Sequence, residues 1–184
     1  MSKAVVFFAD GTEECEALLV VDLLRRAKVE VIVASAMGRR ELVSSHKIHL
    51  TADALAEEVD YSDVDMVVLP GGIPGTPNLA ANKTVTETCA AFAKAGRKVA
   101  AICAAPTILA NLGFLDRRRA VCYPGMEELM GSAVVQKGTP VVVDGHIVTA
   151  EAAGSAFPFG LKLVEVLRGA DAARKVAHDV HYHG

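Results

Sequence analysis

The residue with the clearest setting for covalent chemistry is Cys103, in the run Val99-Ala100-Ala101-Ile102-Cys103-Ala104-Ala105-Pro106-Thr107. Here a buried strand passes directly into a helix. Small residues on both sides suit a tight turn, and Pro106 is accepted in a first helical turn, where no N–H is needed. Nucleophile elbows share this layout, which thrusts the side chain out above the carboxyl end of a sheet. Open α/β sheets bind ligands along that edge. A thiol at a helix start has free N–H groups and a positive dipole to favour its thiolate. The N–H of Ala104 is placed to hold an oxyanion, on a substrate or on an oxidised sulfur. The plain alternative is an inert cysteine that closes a strand.

The second chemical residue is Glu16. At 100° per residue, Glu16, Val20, Leu23 and Ala27 form one narrow stripe flanked by Leu19 and Leu24, with Asp22, Arg25 and Arg26 opposite. That stripe must pack on the sheet, which buries Glu16. Burial disfavours the charged carboxylate and favours the protonated acid, and a protonated acid donates a hydrogen bond. Otherwise Glu16, near the helix start, reaches the sheet end and meets water. Glu14 is expected to point outward, complementing the helix dipole. Thr12 is the expected N-cap, with Glu13 able to serve that end as well.

A third feature is Leu69-Pro70-Gly71-Gly72-Ile73-Pro74-Gly75, which follows another buried strand and so emerges at the same sheet edge. The paired glycines Gly71 and Gly72 let backbone N–H groups approach a ligand closely. A plain turn is the other reading. The loop is not a GxGxxG fingerprint, and the first strand–helix turn carries only Gly11, which disfavours a dinucleotide.

The elements that must hold these residues alternate between β-rich runs and helical patterns, as in a parallel sheet covered on both faces. The expected strands are Ala4–Ala9, Glu30–Ser35, Met66–Leu69, Val99–Ile102 and Ile147–Thr149, apolar enough to be buried on both sides. The expected helices are Glu13–Ala27, Val85–Ala95, Ala104–Leu112, Met126–Met130, Phe157–Leu167 and Asp171–His178. Gly96 and Gly113 sit where left-handed residues end helices. Asp144-Gly145 reads as a two-residue hairpin between Val141–Val143 and His146–Thr149. Glu41–Leu50 reads as a small hairpin added to the sheet edge.

The 184 residues, 52% of them hydrophobic, suit one domain. A net charge of −3 gives no reason to expect nucleic acid or an anionic membrane as partner. The basic clusters Arg39–Arg40 and Arg117–Arg119 lack interleaved aromatics and read as solvated turns. The apolar run Ala4–Ala9 is too short for a signal peptide or a membrane span. Four cysteines without CxxC spacing read as reduced thiols, and a cytoplasmic location is expected.

Three motifs occur in order: Gly-Thr-Glu-Glu-Cys-Glu ahead of Val-Asp-Leu-Leu-Arg-Arg, then Leu-Pro-Gly-Gly, then Ala-Ile-Cys-Ala-Ala-Pro. Together they resemble the ThiJ/PfpI superfamily, and within it the branch containing the parkinsonism-associated deglycase. The likeness runs from Val5-Val6-Phe7 to Phe159-Gly160-Leu161-Lys162. It implies a flavodoxin-like three-layer sandwich with a mostly parallel sheet, usually a homodimer. It also implies that Cys103 is the reactive thiol and Glu16 a protonated acid hydrogen-bonded to it. The N–H groups of Gly72 and Ala104 then line the pocket, with Gly71 beside them. Related members convert methylglyoxal to lactate without a cofactor, and action on glycated proteins has been attributed to them. Others are described as oxidation sensors or redox-regulated chaperones whose thiol rests as a sulfinate.

The sequence departs from that pattern in places. Tyr123 stands where many relatives have a histidine, and a tyrosine is a poor base at neutral pH, although it can donate to a carbonyl oxygen. Ala104 stands where the peptidase-like branch has histidine. Glu151, in Ala150-Glu151-Ala152-Ala153-Gly154, replaces a region that carries an arginine, and is expected to place negative charge near the pocket rim. His46 stands where near relatives often have arginine, an expected surface or dimer position. Class I glutamine amidotransferases need a His-x-Glu pair that this sequence lacks. No metal site is expected: His178, His181 and His183 belong to a chain end, and His46 and His49 fall on opposite faces of a strand. Cys15 and Cys122 flank the proposed pocket and are candidates for oxidation, whereas Cys89 reads as core.

Overall fold

The computed structural model describes residues 2–184. In chain order its elements are β1 (Lys3–Phe8), α1 (Glu14–Arg26), β2 (Glu30–Ser35), β3 (Glu41–Val43), β4 (His49–Thr51), β5 (Ala54–Leu55) and β6 (Met66–Leu69). There follow α2 (Gly75–Ala81), α3 (Lys83–Lys94), β7 (Lys98–Ile102), α4 (Pro106–Asn111), β8 (Arg119–Ala120), β9 (Val134–Val135), β10 (Val141–Asp144), β11 (Ile147–Ala150), α5 (Ala156–Arg168) and α6 (Ala170–Asp179).

Seven strands form one sheet in the order β10-β11-β7-β6-β1-β2-β5, parallel except for β10 against β11. Strand alternation divides the core into two layers. Ala4, Val6 and Phe8 face Val20 and Leu23 of α1 and Phe159 and Leu163 of α5. Val5, Phe7 and Ala9 face Val85, Cys89 and Phe92 of α3 and Ile108 and Leu109 of α4. This is the doubly covered sheet that the apolar strand sequences predict.

From β1 the chain moves outward in one direction to β2 and β5, and in the other to β6, β7 and β11. The strand order therefore reverses between β1 and β6, and crevices form at such a reversal, above the carboxyl ends of the strands. The loops after β1, β6 and β7 meet there.

Several local expectations are corrected. The hairpin β3–β4 forms a separate two-stranded sheet rather than an edge of the main one. Its backbone is tied to the loop before α1, through Gly11 N–H to Val43 O at 2.8 Å and Ser45 N–H to Thr12 O at 2.9 Å. That contact also overturns the outward Glu14: the side chain is buried, accepting from Ser45 Oγ at 3.0 Å and meeting His46 Nδ1 at 2.8 Å. Thr12 does not cap α1, because its Oγ accepts from Ala9 N–H; Glu13 is the cap instead. The helix after Cys103 begins at Pro106, not Ala104, and residues 127–130 form a 3₁₀ turn rather than an α-helix. The β10–β11 turn residues are Gly145 and His146, one position later than expected, because Asp144 pairs with Ile147.

Four of the five arginines in the basic clusters are paired with acids: Arg39 with Asp10, Arg40 with Glu58, and Arg118 and Arg119 with Asp144. Among the described residues no helix is long and apolar enough to cross a membrane.

Candidate active site

Cys103 is the first residue after β7, and its φ of 65° lies in the left-handed region that non-glycine residues rarely adopt. Both of its backbone groups are fastened: its N–H donates to Ala150 O at 3.0 Å, and its carbonyl accepts from Tyr123 N–H at 2.8 Å. The end of β11 and the loop after β8 thus impose the strained elbow that projects the thiol above the sheet.

Glu16, in the first turn of α1, is 1% exposed. Its Oε2 accepts from Gly71 N–H at 2.9 Å, which sets the carboxyl beside the Cys103 side chain. Burial pushes its pKa from 4.5 up to about 7; the nearby Glu13 charge adds to the rise, while the contacts from Cys103 and Gly71 oppose it. The acid is therefore poised around neutral pH.

For Cys103 the balance differs from the sequence expectation. Burial, then the charge and hydrogen bond of Glu16, push the thiol up to about 12, against the opposing N–H groups of Ala104 and Gly72. The helix N-terminus expected to lower it lies three residues on, at Pro106. Two of the three raising causes belong to ionised Glu16 and vanish when that acid holds the proton. The two groups thus compete for one proton, and ionising either hinders the other.

Gly71 is what allows them to meet. A Cβ at this position would lie 2.6 Å from both Cys103 Cβ and Glu16 Oε2. Gly72, at φ 93°, packs against the loop before α1, where a Cβ would stand 2.4 Å from Glu13 N. Gly71→Ala is expected to push Glu16 off the thiol while leaving the sheet intact. The check is Cys103 alkylation at pH 7 beside circular dichroism: changed reactivity with an unchanged spectrum supports the close contact, and unchanged reactivity contradicts it.

Cys103, Glu16, Gly71, Gly72 and Ala104 therefore converge. Tyr123 joins them through its backbone alone, since its side chain makes no hydrogen bond and the residue is 47% exposed. Glu151 accepts from Gly138 N–H at 3.2 Å, and its charge acts on Cys122 rather than Cys103. Cys122 is buried and pushed up to about 11, Cys89 is fully buried and pushed up to about 12, and Cys15 is exposed. The sequence reading missed the grouping of Glu13, Glu14 and His46, whose ligand-type atoms lie within 4.8 Å of one another. His46 reaches it from 32 residues beyond Glu14, so no local spacing signals it.

The family model described as "DJ-1/PfpI family" matches residues 2–166. The chain is 35% identical over 179 residues to Protein dj-1beta of Drosophila melanogaster, covering 96% of each. It is 27% identical over 168 residues to the Caenorhabditis elegans protein named glutathione-independent glyoxalase DJR-1.2, covering 91% of this chain and 89% of that one. The solved structure of oxidized Toxoplasma gondii DJ-1 superposes with a TM-score of 0.95 at 34% identity, with full coverage of both chains. The elbow cysteine, the buried acid and the glycine pair thus sit on a flavodoxin-like frame shared along the whole chain, and this protein belongs to the DJ-1/PfpI family.

Proposed function

We propose that this protein is a cofactor-independent, thiol-based enzyme that converts small reactive dicarbonyls such as methylglyoxal to hydroxy acids. The observation that carries the reading is a buried Glu16, held by Gly71 N–H and pushed up to about 7 by burial, set beside a half-buried Cys103. The relative named a glutathione-independent glyoxalase supports the same chemistry.

In this reading the Cys103 sulfur bonds to the aldehyde carbon while its proton passes to Glu16. The oxygen that gains charge lies against the N–H groups of Gly72 and Ala104 and takes up the proton, giving a hemithioacetal. Glu16 then removes the proton from the former aldehyde carbon and returns it to the neighbouring carbonyl carbon by way of an enediol. The product is a lactoyl thioester, which water cleaves to lactate and free thiol. One carbon is oxidised as its neighbour is reduced, so no external electron acceptor is required.

A second reading has its own support. The same two N–H donors suit a sulfinate on Cys103, and a family relative has been solved in an oxidized form. The two readings part in one experiment. Purified protein is given methylglyoxal without added thiol, and a second sample is given mild peroxide. Lactate at catalytic turnover supports the enzyme. No lactate, with two oxygens gained on Cys103 by intact mass, supports the sensor.

A further inference from the structure

We propose that Glu13 is the positioning residue for the Glu16–Cys103 pair, holding Glu16 by a backbone cap and holding the shared proton by its fixed negative charge. The inference rests on the proton-sharing part of the functional reading above, not on turnover.

Helix N-caps are ordinarily short polar residues, and glutamate is not among the favoured types. A favoured type, Thr12, stands immediately before but is turned back to Ala9 N–H at 3.0 Å and is fully buried. The longer Glu13 takes the place, its Oε2 accepting from Glu16 N–H at 2.7 Å. Glu13 N–H donates to Gly71 O at 3.0 Å, and Gly71 N–H donates to Glu16 Oε2 at 2.9 Å. These three hydrogen bonds close a ring through Glu13, Glu16 and Gly71. Gly72 backs onto the same residue, with room for no Cβ against Glu13 N. Glu13 is therefore locked, and its carboxylate cannot swing away from Glu16 without opening the ring.

A serine or threonine would cap the helix without bringing charge. A locked carboxylate beside a buried one makes ionisation of the second more costly, and the Glu13 charge does raise Glu16. The other groups facing Glu16 offer no opposing cation. The turn after β7 presents Cys103, and the loop after β6 presents only the Gly71 N–H. The β3–β4 turn brings His46 to this helix end, but that ring is engaged by Glu14. Glu13 is thus the one charge that acts on Glu16, and it reaches Cys103 through Glu16.

The test is a pH titration of the Glu16 side-chain carboxyl, followed by its carbon-13 resonance and assigned by its loss in Glu16→Gln, because Glu16 is the group on which the Glu13 charge acts. Glu13→Gln keeps an acceptor oxygen for Glu16 N–H and removes the charge, so the Glu16 midpoint should fall by ~0.5–1 pH unit. Glu13→Asp keeps the charge and supplies a favoured N-cap type, so it should leave both the thermal midpoint and the Glu16 midpoint near the parent values. A Glu13→Gln midpoint equal to the parent's overturns the proposal. So does a Glu13→Asp protein whose Glu16 midpoint falls by ~0.5–1 pH unit although the charge is kept, an outcome that is read without Glu13→Gln should that variant fail to fold. Lactate formation is measured separately: its absence alongside the shifted midpoint sinks the enzyme reading and leaves the role of Glu13 standing.

Discussion

Replacing Cys103 by serine is expected to cut lactate formation from methylglyoxal on the order of a thousandfold or more. The two side chains are close in size, and the elbow is fastened through backbone groups that serine retains, from Ala150 O and Tyr123 N–H. What changes is the nucleophile. A hydroxyl yields its proton far less readily than a thiol, and a Glu16 poised near pH 7 is too weak a base to make up the difference. A coupled lactate assay beside a thermal melt separates the causes: lost turnover with an unchanged melt assigns the chemistry to the sulfur. A serine variant that turns over at the parental rate would place the reaction elsewhere.

Glu16→Gln carries the second large effect, and it moves two observables in opposite directions. Glutamine accepts from Gly71 N–H and fills the same space, yet it neither takes nor returns a proton. Turnover should fall roughly 10²–10⁴-fold, the range associated with general acid–base catalysis. Stability should rise at alkaline pH. The pKa of Glu16 is higher in the folded protein than its ordinary value, so its contribution is fully present below about 4.5 and is lost as pH climbs through about 7. At pH 8 the parent protein holds a carboxylate in a site that disfavours charge, and the interval from 4.5 to about 7 corresponds to about 3 kcal/mol. Urea unfolding should find the glutamine variant more stable at pH 8 and level with the parent near pH 4. A variant less stable at both pH values would contradict the burial cost assigned to Glu16.

The features that could be read from sequence are those fixed by short-range pattern. The apolar runs of β1, β6 and β7 require burial on both faces, and the helical stripe of Val20 and Leu23 requires Glu16 to turn inward with them. The small residues around Cys103 announce a tight turn. Features set by distant contacts were out of reach. Whether β3–β4 joins the main sheet depends on hydrogen bonds from Gly11 and Ser45 that span more than thirty residues. Once the hairpin settles over the start of α1, Glu14 is buried and His46 gains a partner. The cap was misread because Thr12 has a competing backbone donor in Ala9, which its residue type does not reveal. The thiol was misread for a geometric reason: three turn residues separate the β7 end from α4, and the helix dipole acts only over its first turn.

Most of the account follows from one electrostatic claim, that Glu16 keeps its proton to near neutrality. Labelling glutamate side-chain carboxyls with carbon-13 and following the Glu16 resonance through a pH titration, assigned by its loss in Glu16→Gln, measures this directly. A midpoint of about 7 is the predicted result. A midpoint at the ordinary 4.5 would mean that the carboxyl is solvated and charged throughout, and the proposed proton sharing with Cys103 would fall.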